Sequence, residues 1–186
     1  MSVYIAFLRG INVGGKNKIK MAELRILLEG MGLKTVQTYI QSGNVLFEAD
    51  EDPQQVERGI ARQIEGRFGF RIDVVVRNAL ELERIIHTCP FSEQAIEEAD
   101  KTCEGEPLHV AFLKEDPLQE GIDMLATLAS CEEEYVIDGR EVYLLFPRSI
   151  RYSKLAGQLN KLGVPATARN WKTINKLAAM AKALDQ

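Results

Sequence analysis

Cysteine and histidine are scarce in this chain. The three cysteines, Cys89, Cys103 and Cys131, are far apart and odd in number, which argues against a disulfide framework and points to a reducing cytoplasm. The two histidines, His87 and His109, have no ligand-like spacing to a cysteine or to each other, so no metal site is expected. No serine sits in a nucleophile elbow. Cys89 precedes a proline and Cys131 precedes three glutamates, a poor setting for a thiolate. No apolar run approaches the length of a membrane span, and residues 1–8 are too short for a signal-peptide core. No cofactor is expected, and no catalytic residue can be assigned.

What is present is enough apolar material for a core. Hydrophobic residues make up 46% of 186 and charged residues 27%, so one large domain or two small ones can fold without a metal or disulfide staple. Net charge is only −4, but it is segregated. Residues 1–22 hold four cations and no acid, and residues 147–184 hold eight cations and no acid. Such segregation suits an anionic partner, although basic and acidic segments that pair in the fold would give the same pattern.

Residues 3–8 are apolar at every position and read as a strand buried on both faces. Met21, Leu24, Leu27, Leu28 and Met31 recur at helical spacing, with Gly32 placed to end the helix. Residues 36–40 and 44–48 read as a hairpin turning at Gln41-Ser42-Gly43. Asp52-Pro53 with Gln55 opens a second helix carrying Val56, Ile60, Ile64 and Phe68. Residues 72–76 form a strand, and Asn78 caps a helix that Pro90 must end. This strand–helix–strand–strand–helix–strand order is that of a ferredoxin-like unit, followed by an extra helix.

The second half repeats the order. Residues 108–113 read as a strand, and Asp116-Pro117 with Gln119 opens a helix. Two strands join at Asp138-Gly139, and Leu155, Leu159 and Leu162 mark a helix ended by Gly163. A short strand follows at 164–168, then a final helix at 171–184 capped by Asn170. The fold class is therefore α+β, two tandem ferredoxin-like (βαββαβ) subdomains, each followed by an extra helix. The expected boundaries are 1–90, an acidic solvated connection at 91–107 with room for a helical turn, and 108–186. No residue-level repeat between the halves is obvious.

Three stretches carry a resemblance. They are Leu8-Arg9-Gly10-Ile11-Asn12-Val13-Gly14-Gly15, Thr38-Tyr39-Ile40-Gln41-Ser42-Gly43-Asn44-Val45 and Arg169-Asn170-Trp171-Lys172-Thr173. Together they resemble the domain-of-unknown-function 1697 family, found mostly in bacteria. The resemblance implies a two-part α+β fold with ferredoxin-like halves. It implies no settled activity and transfers no catalytic residues.

The stretch around which the rest is organised is residues 8–20, with three glycines, four cations and no acid between a strand and a helix. Glycines admit a close ligand, and cations with free amides at such a junction favour an anion. Residues 10–17 read G-x-x-x-x-G-K-N, one residue short of a phosphate-binding loop. The missing hydroxyl would hold Mg²⁺, and a helix beginning near Met21 in a mainly antiparallel sheet is the wrong setting, so nucleotide hydrolysis by that mechanism is excluded. Residues 3–8 also resemble the first strand of RNA-recognition domains, but the partner strand supplies only Phe47 as an aromatic, so Tyr4 and Phe7 read as core. Trp171 reads first as an anchor for the last helix and second as a base-stacking surface.

The leading expectation is an anion-binding protein, for nucleic acid or a nucleotide. Arg9, Lys16 and Lys18 would contact phosphate, with amides from Gly14 and Gly15 and a second contact from Arg169. Asn12, Gln41, Ser42, Asn44, Asn170 and Trp171 complete the candidate set. One alternative is an enzyme acting on a small phosphorylated substrate between the subdomains, and another is an interaction module or homodimer.

Overall fold

The computed structural model describes residues 1–128 and 133–184; Cys131 and Glu132 lie outside them. In chain order the elements are β1 (Ser2–Leu8), α1 (Met21–Gly30), β2 (Lys34–Tyr39), β3 (Asn44–Ala49), α2 (Pro53–Phe68), β4 (Val74–Asn78) and α3 (Ala79–His87). They continue with α4 (Glu93–Asp100), β5 (Leu108–Leu113), α5 (Gln119–Leu128), β6 (Glu134–Asp138), β7 (Glu141–Leu145), α6 (Lys154–Gly157), β8 (Ala166–Asn170) and α7 (Trp171–Leu184). Short 3-10 turns at Ile150–Tyr152 and Leu159–Leu162 flank α6. The chain divides into two compact units, Met1–Arg84 with the chain from Lys176 onward, and Ile85–Asn175.

Each unit is a four-stranded antiparallel sheet with helices. The strand orders are β2-β3-β1-β4 and β6-β7-β5-β8. This is the ferredoxin-like arrangement, present twice, with extra helices after β4 and after β8.

In the first unit, Tyr4, Ala6 and Leu8 of β1 join a core with Leu24 and Leu28 of α1 and Val56, Ile60 and Ile64 of α2. Val3, Ile5 and Phe7, on the other face of the strand, are also buried, as the unbroken apolar run requires. Asp52 caps α2 by accepting from the amides of Gln54 and Gln55 at 2.9 and 3.3 Å. Asn78 and Glu81 form a reciprocal capping box on α3, each side chain accepting from the other's amide, at 2.7 and 2.8 Å.

Register reveals a repeat that composition hides. Ile5 and Tyr4 pair with Arg77 and Asn78, as Val110 and His109 pair with Arg169 and Asn170. Ala6-Phe7-Leu8 thus corresponds to Ala111-Phe112-Leu113, and Arg77-Asn78 to Arg169-Asn170. Both asparagines cap the helix that follows. Asn170 Oδ1 accepts from the Thr173 amide at 2.8 Å, as Asn78 does from Glu81.

Four local readings are corrected. The acidic segment contains a two-turn helix, α4, whose start Ser92 caps, its Oγ accepting from the Ala95 amide at 3.1 Å; it buries no residue, and only Ala95, Ile96 and Ala99 are half-buried on it. The β6–β7 hairpin turns one residue later, with Asp138 paired to Glu141 and Gly139-Arg140 as the loop. Gly139 has φ +57, suiting glycine at the first of two loop positions. Helix α5 starts at Gln119, after Leu118, whose carbonyl accepts from Ile122.

The helix read from Leu155, Leu159 and Leu162 is broken into α6 and a 3-10 turn. Gly157 and Asn160 are weak helix formers, and the three leucines stay buried either way. The break lets the turn press on α5. A Cβ at Gly121 would lie 2.4 Å from the Lys161 carbonyl oxygen and 2.7 Å from Leu162 Cα. Backbone cannot swing aside as a side chain can, so Gly121→Ala should destabilise by about 2–3 kcal/mol. Urea unfolding of the two proteins checks this; an unchanged midpoint would refute the close packing.

Candidate functional site

The glycine stretch is an ordered miniature hairpin. Its two ends are pinned because Ile11 and Ile19 are buried in the first unit's core. At the tip, Val13 and Lys16 pair across Gly14 and Gly15, and the Lys16 amide donates to the Val13 carbonyl at 3.0 Å. Gly14 and Gly15 have φ +57 and +76, and positive φ at both central positions is what a type I′ turn demands. Below the tip the Asn12 amide donates to Asn17 O at 3.1 Å, and Asn17 Nδ2 donates to Gly10 O at 3.1 Å.

Asn12 ties this hairpin to its surroundings. Its Nδ2 donates to Ile19 O at 3.0 Å and to Gln41 O at 2.9 Å, and its Oδ1 accepts from the Ile19 amide at 2.9 Å. The β2–β3 turn is thereby joined to the glycine loop. That turn has its own internal tie: Asn44, fully buried, donates to Tyr39 O and Ser42 Oγ at 3.1 and 2.9 Å.

An open groove of about 510 Å³ lies where the loop meets the start of α1. Asn12, Gly15, Lys18 and Gln41 of the expected set line it, and Ile19, Lys20, Met21 and Glu23 join them. Lys20 is the N-cap residue of α1, and its side chain makes no capping hydrogen bond. Lys20, Met21 and Glu23, at the positive end of the helix dipole, line the groove. Lys20 Nζ stands 4.0 Å from Glu23, and Lys18 has no ion-pair partner among the described residues.

The other expected residues are placed differently. Arg9 pairs with Asp73 at 3.1 Å, and its amide donates to Asp73 O at 2.9 Å. Gly14 and Lys16 are exposed on the hairpin tip, and Ser42 is exposed on the β2–β3 turn. Arg169, Asn170 and Trp171 belong to the second unit. Arg169 Nη1 donates to Thr167 Oγ1 and Ala168 O, both at 2.8 Å, and burial pushes its guanidinium down to about 10, still charged at neutral pH. Trp171 opens α7, and its carbonyl accepts from Asn175 Nδ2 at 2.8 Å.

Sequence reading missed the roles of Lys20, Met21 and Glu23. The signal was there: no Ser, Thr, Asp or Asn precedes the helical run at Met21. Burial raises the thiol pKa of both Cys89 and Cys103, and Asp100, Glu104 and Glu106 raise Cys103 further, so both stay protonated at neutral pH. Among the described residues no group of three or more His, Cys, Asp or Glu side chains is placed to hold a metal ion, and no helix is long and apolar enough to cross a membrane.

Residues 1–143 match the family described as Protein of unknown function (DUF1697), and the chain belongs to that family. It is similar to the solved structure of the conserved bacterial protein SP0830 from Streptococcus pneumoniae. The two are 27% identical over 97% of this chain and 98% of that one, with a TM-score of 0.75. No curated protein matches the chain.

Proposed function

We propose that the protein binds the phosphate of a nucleotide, free or within a nucleic-acid strand, in the groove between the glycine hairpin and α1. One observation carries this reading: a helix start whose N-cap side chain makes no capping hydrogen bond opens onto a groove lined by Lys18 and Lys20. Glu23 in the first turn offsets Lys20 at 4.0 Å, whereas Lys18 has no ion-pair partner among the described residues, and an anion in the groove would meet it and the positive end of the helix. Asn12 and Gln41 also line the groove, tied to each other by the bond from Asn12 Nδ2 to Gln41 O. The groove falls within the size range of small-ligand sites, room for more than a bare phosphate.

Lys18→Gln with Lys20→Gln should weaken binding of nucleotides or oligonucleotides at least tenfold. It should also lower the slope of log affinity against log salt by about 1.5, since each lost phosphate contact removes about one released counterion. Both lysines are exposed, so the melting temperature without ligand should stay within about a degree. Titration at two salt concentrations decides it, and undiminished binding of every phosphate-bearing ligand would refute the assignment.

A further inference from the structure

We infer that the second unit carries its own site for a nucleotide, with an aromatic base held on Tyr152 and its phosphate held by Arg148 and Lys154. The segment Pro147-Arg148-Ser149-Ile150-Arg151-Tyr152-Ser153-Lys154 has three cations and no acid. It follows β7 and is fixed by its own backbone. Ser149 Oγ accepts from the Arg151 amide at 3.3 Å, and Ser153 Oγ accepts from the Ala156 amide at 2.9 Å. From outside, Thr102 Oγ1 donates to Pro147 O at 2.6 Å, and the Glu104 amide donates to Arg148 O at 2.5 Å.

This segment borders an open cavity of about 180 Å³. Phe146, 1% exposed, and Pro147 contribute apolar walls, while Tyr152 stands at the cavity 74% exposed. A tyrosine so exposed contributes little to the core, yet it offers a flat face to a ring. Arg148 and Lys154 line the same space, and Lys154 has no ion-pair partner among the described residues. Ser149 lines it too, buried to 7% exposure, with its oxygen accepting from the Arg151 amide and its hydroxyl proton free to donate to a ligand oxygen.

Glu133 completes the lining. Its carboxylate opposes a bare, highly charged phosphate and accepts from an amino group or a sugar hydroxyl. An aromatic face, two cations, a hydroxyl donor and one carboxylate together fit a base with a single phosphate. The cavity is open and smaller than an ordinary drug-sized site, so it seats one group of the nucleotide against its walls while the rest extends outside.

The site stands on its own observations, apart from the groove at α1. The experiment therefore uses the whole protein in the Lys18→Gln, Lys20→Gln background, titrated calorimetrically with adenosine and cytidine monophosphate and with a short oligothymidine. Residual binding should survive there, Tyr152→Ala should weaken it at least tenfold, and Tyr152→Phe should keep it within threefold. Lys154→Gln should weaken it and lower its salt dependence. Inorganic phosphate should compete poorly. Binding of the monophosphates points to a free nucleotide, and binding of the oligothymidine alone points to a strand; either supports the site. No residual binding, or Tyr152→Ala equal to its parent, would overturn it.

Discussion

Asn12→Ala should destabilise the protein by about 4 kcal/mol, more than its half-exposed position suggests. Three side-chain hydrogen bonds disappear, to Ile19 O, Gln41 O and the Ile19 amide. Each contributes on the order of 1 kcal/mol net, and stranding the Ile19 groups beside a buried side chain adds to the loss. Asn12 also has φ +55, which alanine tolerates about 1–2 kcal/mol less well. Asn12→Gly separates the two contributions, because glycine accepts that backbone and still lacks the side chain. It should recover about 1 kcal/mol of the loss in a denaturant titration. Both variants should lose ligand affinity although Lys18 and Lys20 remain, since the loop that carries Lys18 is no longer tied to the β2–β3 turn. Full affinity in Asn12→Gly would show that the tie is irrelevant to binding.

Acid should weaken the second unit through His109. The ring is buried at 8% exposure against Phe146, 5.6 Å between centroids, and its Nδ1 has no hydrogen-bond partner among the described residues. Burial lowers its pKa from 6.5 to about 4, and an interaction with the Pro107 carbonyl pulls weakly the other way. The folded protein thus takes up this proton later than the unfolded chain does. The stability it confers is complete above pH 6.5 and is lost as pH falls toward about 4. Two and a half pKa units correspond to about 3 kcal/mol. His109→Leu removes the titration and keeps the site apolar. Unfolding free energies at several pH values should fall less steeply in the variant, by up to one proton, between pH 6.5 and 4. Parallel curves for the two proteins would refute the assignment.

Much of the fold was legible because its signals are local. Asp52, Asn78 and Asn170 sit where their side chains cap the next helix, and the apolar runs in β1 and β5 announce strands buried on both faces. The break after Gly157 was not legible, because leucines at 155, 159 and 162 face inward in an α-helix or in an α-turn followed by a 3-10 turn alike. What decides is the approach of Gly121 to the Lys161 carbonyl, a contact between residues far apart in sequence. The repeat was hidden for a similar reason. Only strand register aligns Arg77-Asn78 with Arg169-Asn170.

The candidate site was half legible. Glycines and cations marked the hairpin, and Asn12, Gly15, Lys18 and Gln41 do meet in one groove. Composition alone could not show that Arg9 faces Asp73, or that Arg169 is held by Thr167 and Ala168. Nor could it show that Asn44 serves the hairpin turn from a fully buried position.

The most direct test maps amide chemical shifts of the isotope-labelled protein while adenosine monophosphate, and then a short oligothymidine, is added. If the groove holds phosphate, the amides of Gly15, Met21, Ala22 and Glu23 should move together and saturate with one dissociation constant, and those shifts should vanish in Lys18→Gln, Lys20→Gln. Saturable binding that leaves the start of α1 unmoved would contradict the assignment, and so would the absence of any binding.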